Sequence, residues 1–140
     1  MADPEPSRPR TAQQRAGDAA EELVAARLRA AGWLILARNV HVGRAELDLI
    51  AIDRGPPAEL VVVEVRWRRT RAFGLAEETF DHHKRGHVRA AVGRLLLLAR
   101  LPDGSALPPL PVRVDLVVVE PADRVGQAPR VRHHRAALAG

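Results

Sequence analysis

At 140 residues, 46% of them apolar, the chain is sized for one compact domain with a substantial core. It has no cysteine, which excludes a disulfide framework, a zinc ribbon and a thiol nucleophile together and suits a reducing compartment. The formal charge of +5, from 22 Lys and Arg against 17 Asp and Glu, favours phosphate-bearing partners without requiring them.

Residues 1–10 carry Pro4, Pro6 and Pro9 and almost nothing apolar, which predicts a disordered tail ahead of a single domain over 11–140. The tail lacks the apolar stretch of a signal peptide, and the longest apolar runs, 95–99 and 116–119, are too short to span a bilayer. The expectation is a cytoplasmic protein without membrane contact. From Thr11, Ala20, Leu23, Val24, Arg27, Leu28 and Ala31 recur at helical spacing up to a stop at Gly32. Residues 33–37 read as a short buried strand, followed by a polar loop over 38–44. The stretch 45–52 alternates, with Leu47 and Leu49 on one face and Glu46, Asp48 and Ile50 on the other.

Asp53-Arg54-Gly55-Pro56-Pro57 is a turn signal, and residues 60–67, LVVVEVRW, have the β-branched composition of a central strand. A second helix is predicted over 81–100, with Val88, Ala91, Val92, Leu95 and Ala99 as its apolar stripe. A Pro/Gly loop leads to a strand over 112–119, and a short edge segment is expected near 131–133. Helices flanking a mixed β-sheet, an α/β arrangement, are the economical packing for this order.

Chemistry concentrates in Glu46, Asp48, Glu64 and Arg66. If the strands on either side of the turn pair with Asp48 opposite Glu64, all four residues share one face. Two facing carboxylates repel unless something positive lies between them. A hard cation such as Mg²⁺ meets that need, taking one or two carboxylates and completing its shell with water and phosphate. Arg66 could instead neutralise the pair in an ordinary ion cluster, or the four could be the solvated side of a hairpin. Periodicity alone leaves these readings open.

The stretches RAELDLIAID and LVVVEVRWR resemble the signature of the YraN-like family, a Gly-Glu-Ile-Asp-Leu-Ile strand followed by a Phe-Val-Glu-Val-Lys strand. Ala20-Glu21, Leu28 and Gly32-Trp33 resemble its opening Gly-Glu helix, and Ala37-Arg38-Asn39 its Arg-Asn pair. Lys84 falls at the lysine that opens its long helix, Arg113-Val114-Asp115 at its late Arg-Phe-Asp strand, and 131–138 at its closing segment. The likeness spans roughly residues 15–138.

The resemblance implies a restriction-endonuclease-like core, mixed β-sheet flanked by helices, with the pattern Asp…Glu-x-Lys and a Glu from the first helix. It assigns Glu21, Asp48 and Glu64 as metal-side carboxylates for Mg²⁺ or Mn²⁺. Archaeal Holliday-junction resolvases share that layout. Two positions depart from the pattern. Ala45 stands where the family has Gly, and Arg66 stands where it has Lys. Arginine keeps the charge but cannot be deprotonated. Lys84 is the only lysine in an otherwise arginine-only chain and is a candidate to replace it.

Arg68, Arg69 and Arg71 lead off the site-bearing strand as a candidate phosphate track. His83 and His87 lie four apart without an HExxH motif and read as polar-face residues; His133 and His134 read as surface. With two Phe, two Trp and no Tyr, a stacking platform for single strands is poorly supported. The leading expectation is a Mg²⁺- or Mn²⁺-dependent endonuclease hydrolysing DNA phosphodiesters, with branched DNA among its substrates. The alternatives are a catalytically inactive nucleic-acid-binding module of the same fold and a structural partner protein docking through residues 95–98. A homodimer is left open.

Overall fold

A computed structural model describes residues 8–68 and 82–138. Residues 1–7 of the expected tail lie outside that range, as do Arg69 and Arg71 of the expected phosphate track and the side chain of His83. The elements are α1 (Ala12–Ala30), β1 (Leu34–Val42), β2 (Ala45–Asp53), β3 (Glu59–Trp67), α2 (His82–Leu98), β4 (Val112–Glu120) and β5 (Arg130–His134). They form one five-stranded sheet in the order β1-β2-β3-β4-β5. All neighbours pair antiparallel except β3 and β4, whose parallel pairing requires the long crossover that carries α2.

Local chemistry accounts for the ends of α1. Thr11 and Gln14 form a reciprocal capping box, and Arg27 and Arg29 occupy the last turn, where cations suit the helix dipole. Arg10, just before the cap, grips Asp18 with both arms of its guanidinium.

Each face of the sheet carries its own core. Ala20, Val24, Ala25 and Leu28 of α1 pack on Leu49, Ala51, Val61, Val63, Val117 and Val119. Val88, Ala91, Val92 and Leu95 of α2 pack with Leu47, Ile50, Leu60, Val62, Leu116 and Val118 on the other face. Residues 60–63 of β3 are therefore closed from both sides, as its composition predicted, each such side chain contributing about 1.5–3 kcal/mol.

Several expectations need correction. Residues 38–42 are not a loop but the second half of β1, paired from Arg38↔Leu49 to Val42↔Ala45. As an edge strand, β1 holds polar side chains because one side faces solvent; Leu34 itself is exposed. The connection shrinks to Gly43-Arg44, with Gly43 at φ +60. At the next hairpin Gly55 has φ +65, and a Cβ there would lie 2.0 Å from the Pro57 carbonyl oxygen. Ala99 does not join the apolar stripe of α2; it is exposed, with φ +54, just past the helix end. Leu96, Leu97 and Leu98 are exposed by 45, 88 and 63%, so the end of α2 presents apolar surface. Among the described residues no helix is long and apolar enough to cross a membrane.

Candidate active site

The hairpin register is the expected one: β2 and β3 pair from Asp53↔Glu59 to Leu49↔Val63, which brings Asp48 to Glu64. The expected sharing of one face is overturned. Leu47 belongs to the α2-side core and Leu49 to the α1-side core, although they are two residues apart. Across the hairpin, Val40 lies in the α2-side core while Arg38 reaches Glu22 of α1 at 2.6 Å. Both strands therefore change face together at Asn39 and Asp48. Asn39 has φ +51, in the left-handed region that asparagine tolerates better than most residues, and strict alternation cannot persist through such a position.

This irregularity builds the site. Beyond Leu49↔Val63 the regular pairing of β2 with β3 stops, and Asp48 Oδ2 accepts from the Val65 backbone N–H at 2.8 Å. Glu64 and Arg66 alternate with Val63 and Val65 onto the α2 side, and Glu21 approaches from α1 on the other. Asp48, in the gap, influences both acids: it raises the pKa of Glu64 and that of Glu21.

Asn39 links the remaining acid to this group. Its amide end faces only the acceptors Glu46 Oε1 and Glu21 Oε2, each at 3.1 Å, which assigns Nδ2 to that side as donor to both. Glu21, Glu46 and Glu64 thus each interact with Asp48, with Asn39 between two of them.

The electrostatics are those of a site short of positive charge. Glu64 is only 5% exposed, and burial, then the charge of Asp48 and a hydrogen bond shared with it, push its carboxyl up to about 9. Burial raises the Asp48 carboxyl as well, against the Val65 N–H and Arg66, which lower it. Glu21 is raised to about 7, by burial and then by Asp48, Asp18 and Glu46. Burial and the neighbouring carboxylate thus both favour the protonated form of Glu64.

Unsatisfied atoms mark the same place, the remaining one among the described residues, Glu120 Oε1, being ion-paired with Arg132. Glu64 Oε1 is buried without a hydrogen-bond partner, and so are Arg66 Nε and Nη2. Buried polar groups are normally paired, so an orphaned carboxylate oxygen beside an orphaned guanidinium edge calls for a missing partner. Among the described residues no three His, Asp or Glu side chains form a ready-made cation cage. The donor set is instead two carboxylates, Glu64 buried and Asp48 half-buried, the kind of set with which Mg²⁺ keeps water and phosphate in its shell.

Lys84 is half-buried on the first turn of α2, and Arg68 is half-buried just after β3, its backbone N–H held by the Val119 carbonyl. A groove of about 510 Å³ that the sequence did not suggest runs between the β1–β2 turn and α2, lined by Gly43, Arg44, His87 and Arg94 among others. A Cβ on Gly43 would come within 3.1 Å of Arg94 Nη1, so this glycine gives the guanidinium its seat. Arg44 and Arg94 make no hydrogen bond or ion pair among the described residues, which makes them better phosphate candidates than cations already paired.

A second polar cluster, also missed, is centred on Asp115, which pairs with Val63 across the β3–β4 seam, and extends toward the β2–β3 turn. Asp115, fully buried, accepts from Arg113 Nε and Nη2 at 2.8 and 3.0 Å and from the Ala136 N–H at 2.9 Å, with His133 Nε2 at 2.8 Å. Arg113 also reaches Asp53 and Glu59 and lies 5.5 Å over the Trp33 ring. His133 is exposed, as expected, but β5 is a formed strand that places its Nε2 against Asp115, and its ring meets Trp33 edge to face.

The fold and site together define a class: a small α/β protein whose five-stranded mixed sheet carries two interacting carboxylates, Asp48 and Glu64, on adjacent strands. The chain belongs to uncharacterised protein family UPF0102, the YraN family, whose model matches residues 20–119. It is 43% identical over 108 residues to a UPF0102 protein of Symbiobacterium thermophilum, covering 77% of this chain and 84% of that one. A UPF0102 protein of Pseudomonas aeruginosa is 40% identical over 115 residues, 81% and 82% of the two chains. One of Bifidobacterium longum is 34% identical over 117 residues, 84% and 87%. The matched region contains Glu21, Asn39, Asp48, Glu64, Arg66 and Lys84.

Proposed function

We propose that this protein is a metal-dependent endonuclease that hydrolyses DNA phosphodiesters, with branched DNA among its substrates, on a restriction-endonuclease-like core in the cytoplasm. The carrying observation is the pairing of half-buried Asp48 with buried Glu64, whose Oε1 lacks a donor, beside Arg66 donors that lack an acceptor. Asp48 and Glu64 hold Mg²⁺ or Mn²⁺, with Glu21 completing the shell directly or through water. When bound, such an ion polarises the phosphodiester and lowers the pKa of its water. Arg66 holds the phosphate with the edge that has no protein acceptor; it is no proton carrier, because guanidinium stays charged at any working pH. Lys84 is the candidate for the small ammonium that Arg66 does not supply. Arg44, Arg68 and Arg94 give phosphate contacts away from the reacting centre.

The replacement of the family's lysine by Arg66 favours one second reading, a nucleic-acid-binding module that has lost turnover. The exposed leucines at the end of α2 are the surface a second copy would use.

The test is a cleavage assay on linear, single-stranded and four-way DNA with Mg²⁺ or Mn²⁺, alongside Mn²⁺ calorimetry. Metal-dependent cleavage that Asp48→Asn and Glu64→Gln each abolish, together with Mn²⁺ binding, supports the enzyme. DNA binding with an inert wild type and activity gained in Arg66→Lys supports the decayed site. Undiminished Mn²⁺ binding in both carboxylate variants sinks both versions of this site.

A further inference from the structure

We infer that Asn39 is the positioning residue that assembles the acidic site, holding Glu21 of α1 and Glu46 of β2 together through its amide while its left-handed backbone turns Asp48 into the gap. The inference rests on the metal-site reading for its consequence but not for its geometry.

Three observations converge on this residue. The first is its backbone. Asn39 is one of three described non-glycine residues with positive φ, and of these it alone lies inside a strand. The second is its place in the hairpin: the pairs on either side of it, Arg38↔Leu49 and Val40↔Leu47, leave it opposite Asp48, at the point where both strands change face. Without that change Asp48 would alternate with Leu47 and Leu49 as in any strand, and Leu49 would share the core of Leu47. The third is its side chain. Two carboxylate oxygens on different elements face it at 3.1 Å, and only an amide NH₂ can donate to both.

These roles demand asparagine in particular. Glycine would permit the backbone but supply no donors; aspartate tolerates the same φ but would add a charge to three nearby acids; glutamine has the donors and a poorer left-handed preference. The neighbouring Arg38 acts in parallel by gripping Glu22, so consecutive residues of β1 tie consecutive glutamates of α1 to the hairpin. Outer hydrogen bonds of this kind orient metal-side ligands, and their loss weakens metal binding or activity by about 10–100-fold.

The test uses the full chain with Asn39→Gly, Glu21→Gln and the double variant. Asn39→Gly should keep the fold and wild-type DNA affinity, yet lower Mn²⁺ affinity and cleavage kcat about tenfold with KM for DNA unchanged. Glu21→Gln in the Asn39→Gly background should add little, because the glutamate is already adrift. Fully additive losses overturn the proposal, since the two residues then act independently. A separate readout covers a wild type that neither binds Mn²⁺ nor cleaves, which would defeat the metal reading alone. The Asn39 side-chain NH₂ signals in a ¹⁵N-resolved NMR spectrum should move in both Glu21→Gln and Glu46→Gln. If they stay in place in both variants, the bridge does not exist.

Discussion

Two buried acids, Glu64 and Asp115, lie on adjacent strands of one sheet and meet opposite treatment. Both are closed to solvent, at 5 and 0% exposure. Asp115 has two bonds from Arg113, one from the Ala136 N–H and His133 as a further partner, and these hold its carboxyl below the ordinary range against the effect of burial. Glu64 has another carboxylate for a neighbour, one oxygen without a donor, and a pKa driven far the other way. Burial alone therefore says little about function. What separates a structural acid from a functional one is whether the protein completes its hydrogen bonds or leaves them for something else. A third buried acid, Glu120, ion-pairs with Arg132 and falls on the structural side.

The largest effect expected from this contrast is on stability at Asp115. Asp115→Ala removes the acid at the centre of the Arg113–His133 network and should cost about 3–5 kcal/mol in urea unfolding, the usual penalty for breaking a buried pair. A loss under about 1 kcal/mol would break the comparison. Because the folded carboxyl sits below its unfolded value, its contribution is present above about pH 4 and fades only as pH falls further. Between pH 5 and 9 this acid should contribute no slope.

At Glu64 both signs reverse. Its folded pKa is above its unfolded one, 4.5 rising to about 9, so the folded state binds more protons across that window and loses stability as pH climbs through it. Asp48 and Glu21 are shifted the same way and add to the slope. Glu64→Gln should therefore stabilise the metal-free protein by about 1–3 kcal/mol at pH 8.5, and less at pH 5.5, in paired urea titrations. A destabilised variant at pH 8.5 would mean that the favourable contacts Glu64 does have, the Asp48 backbone N–H and Arg66, outweigh the cost of its burial. Saturating Mn²⁺ should erase the wild-type disadvantage, because a cation supplies what the pair lacks.

The two clusters also differ in how far they could be read from the sequence. Strand periodicity with a strong turn between the runs was enough to set Asp48 opposite Glu64, because that register depends on local spacing. The change of face at Asn39 was hidden. Alternation counts residues and assumes every φ is extended, and an asparagine in a polar stretch looks like a loop. The Asp115–His133 contact was hidden for another reason: it joins β4 to a short edge strand across a Pro/Gly-containing stretch, and no periodicity spans that gap. The family resemblance picked out Arg113 and Asp115 by position, yet only the packing around Trp33 shows why they belong together.

The smallest effect concerns cations sorted by the same criterion. Arg113 is committed to three carboxylates, and Arg130 leans on Asp123 at 3.3 Å, whereas Arg44 and Arg94 flank a groove with no acid among its described lining. Arg44 lies four residues before Asp48, roughly 13 Å along an extended strand, or about four base-pair steps of duplex. A strand seated at the acidic gap could therefore run on past the hairpin turn and meet these arginines. Arg44→Ala and Arg94→Ala should each weaken DNA binding a few fold at moderate salt, leave urea unfolding unchanged, and reduce the slope of log affinity against log salt by about one. Arg130→Ala, whose charge is already paired, should leave that slope where it was. Equal effects from all three substitutions would show that affinity follows net charge alone, and the groove would lose its claim to the strand.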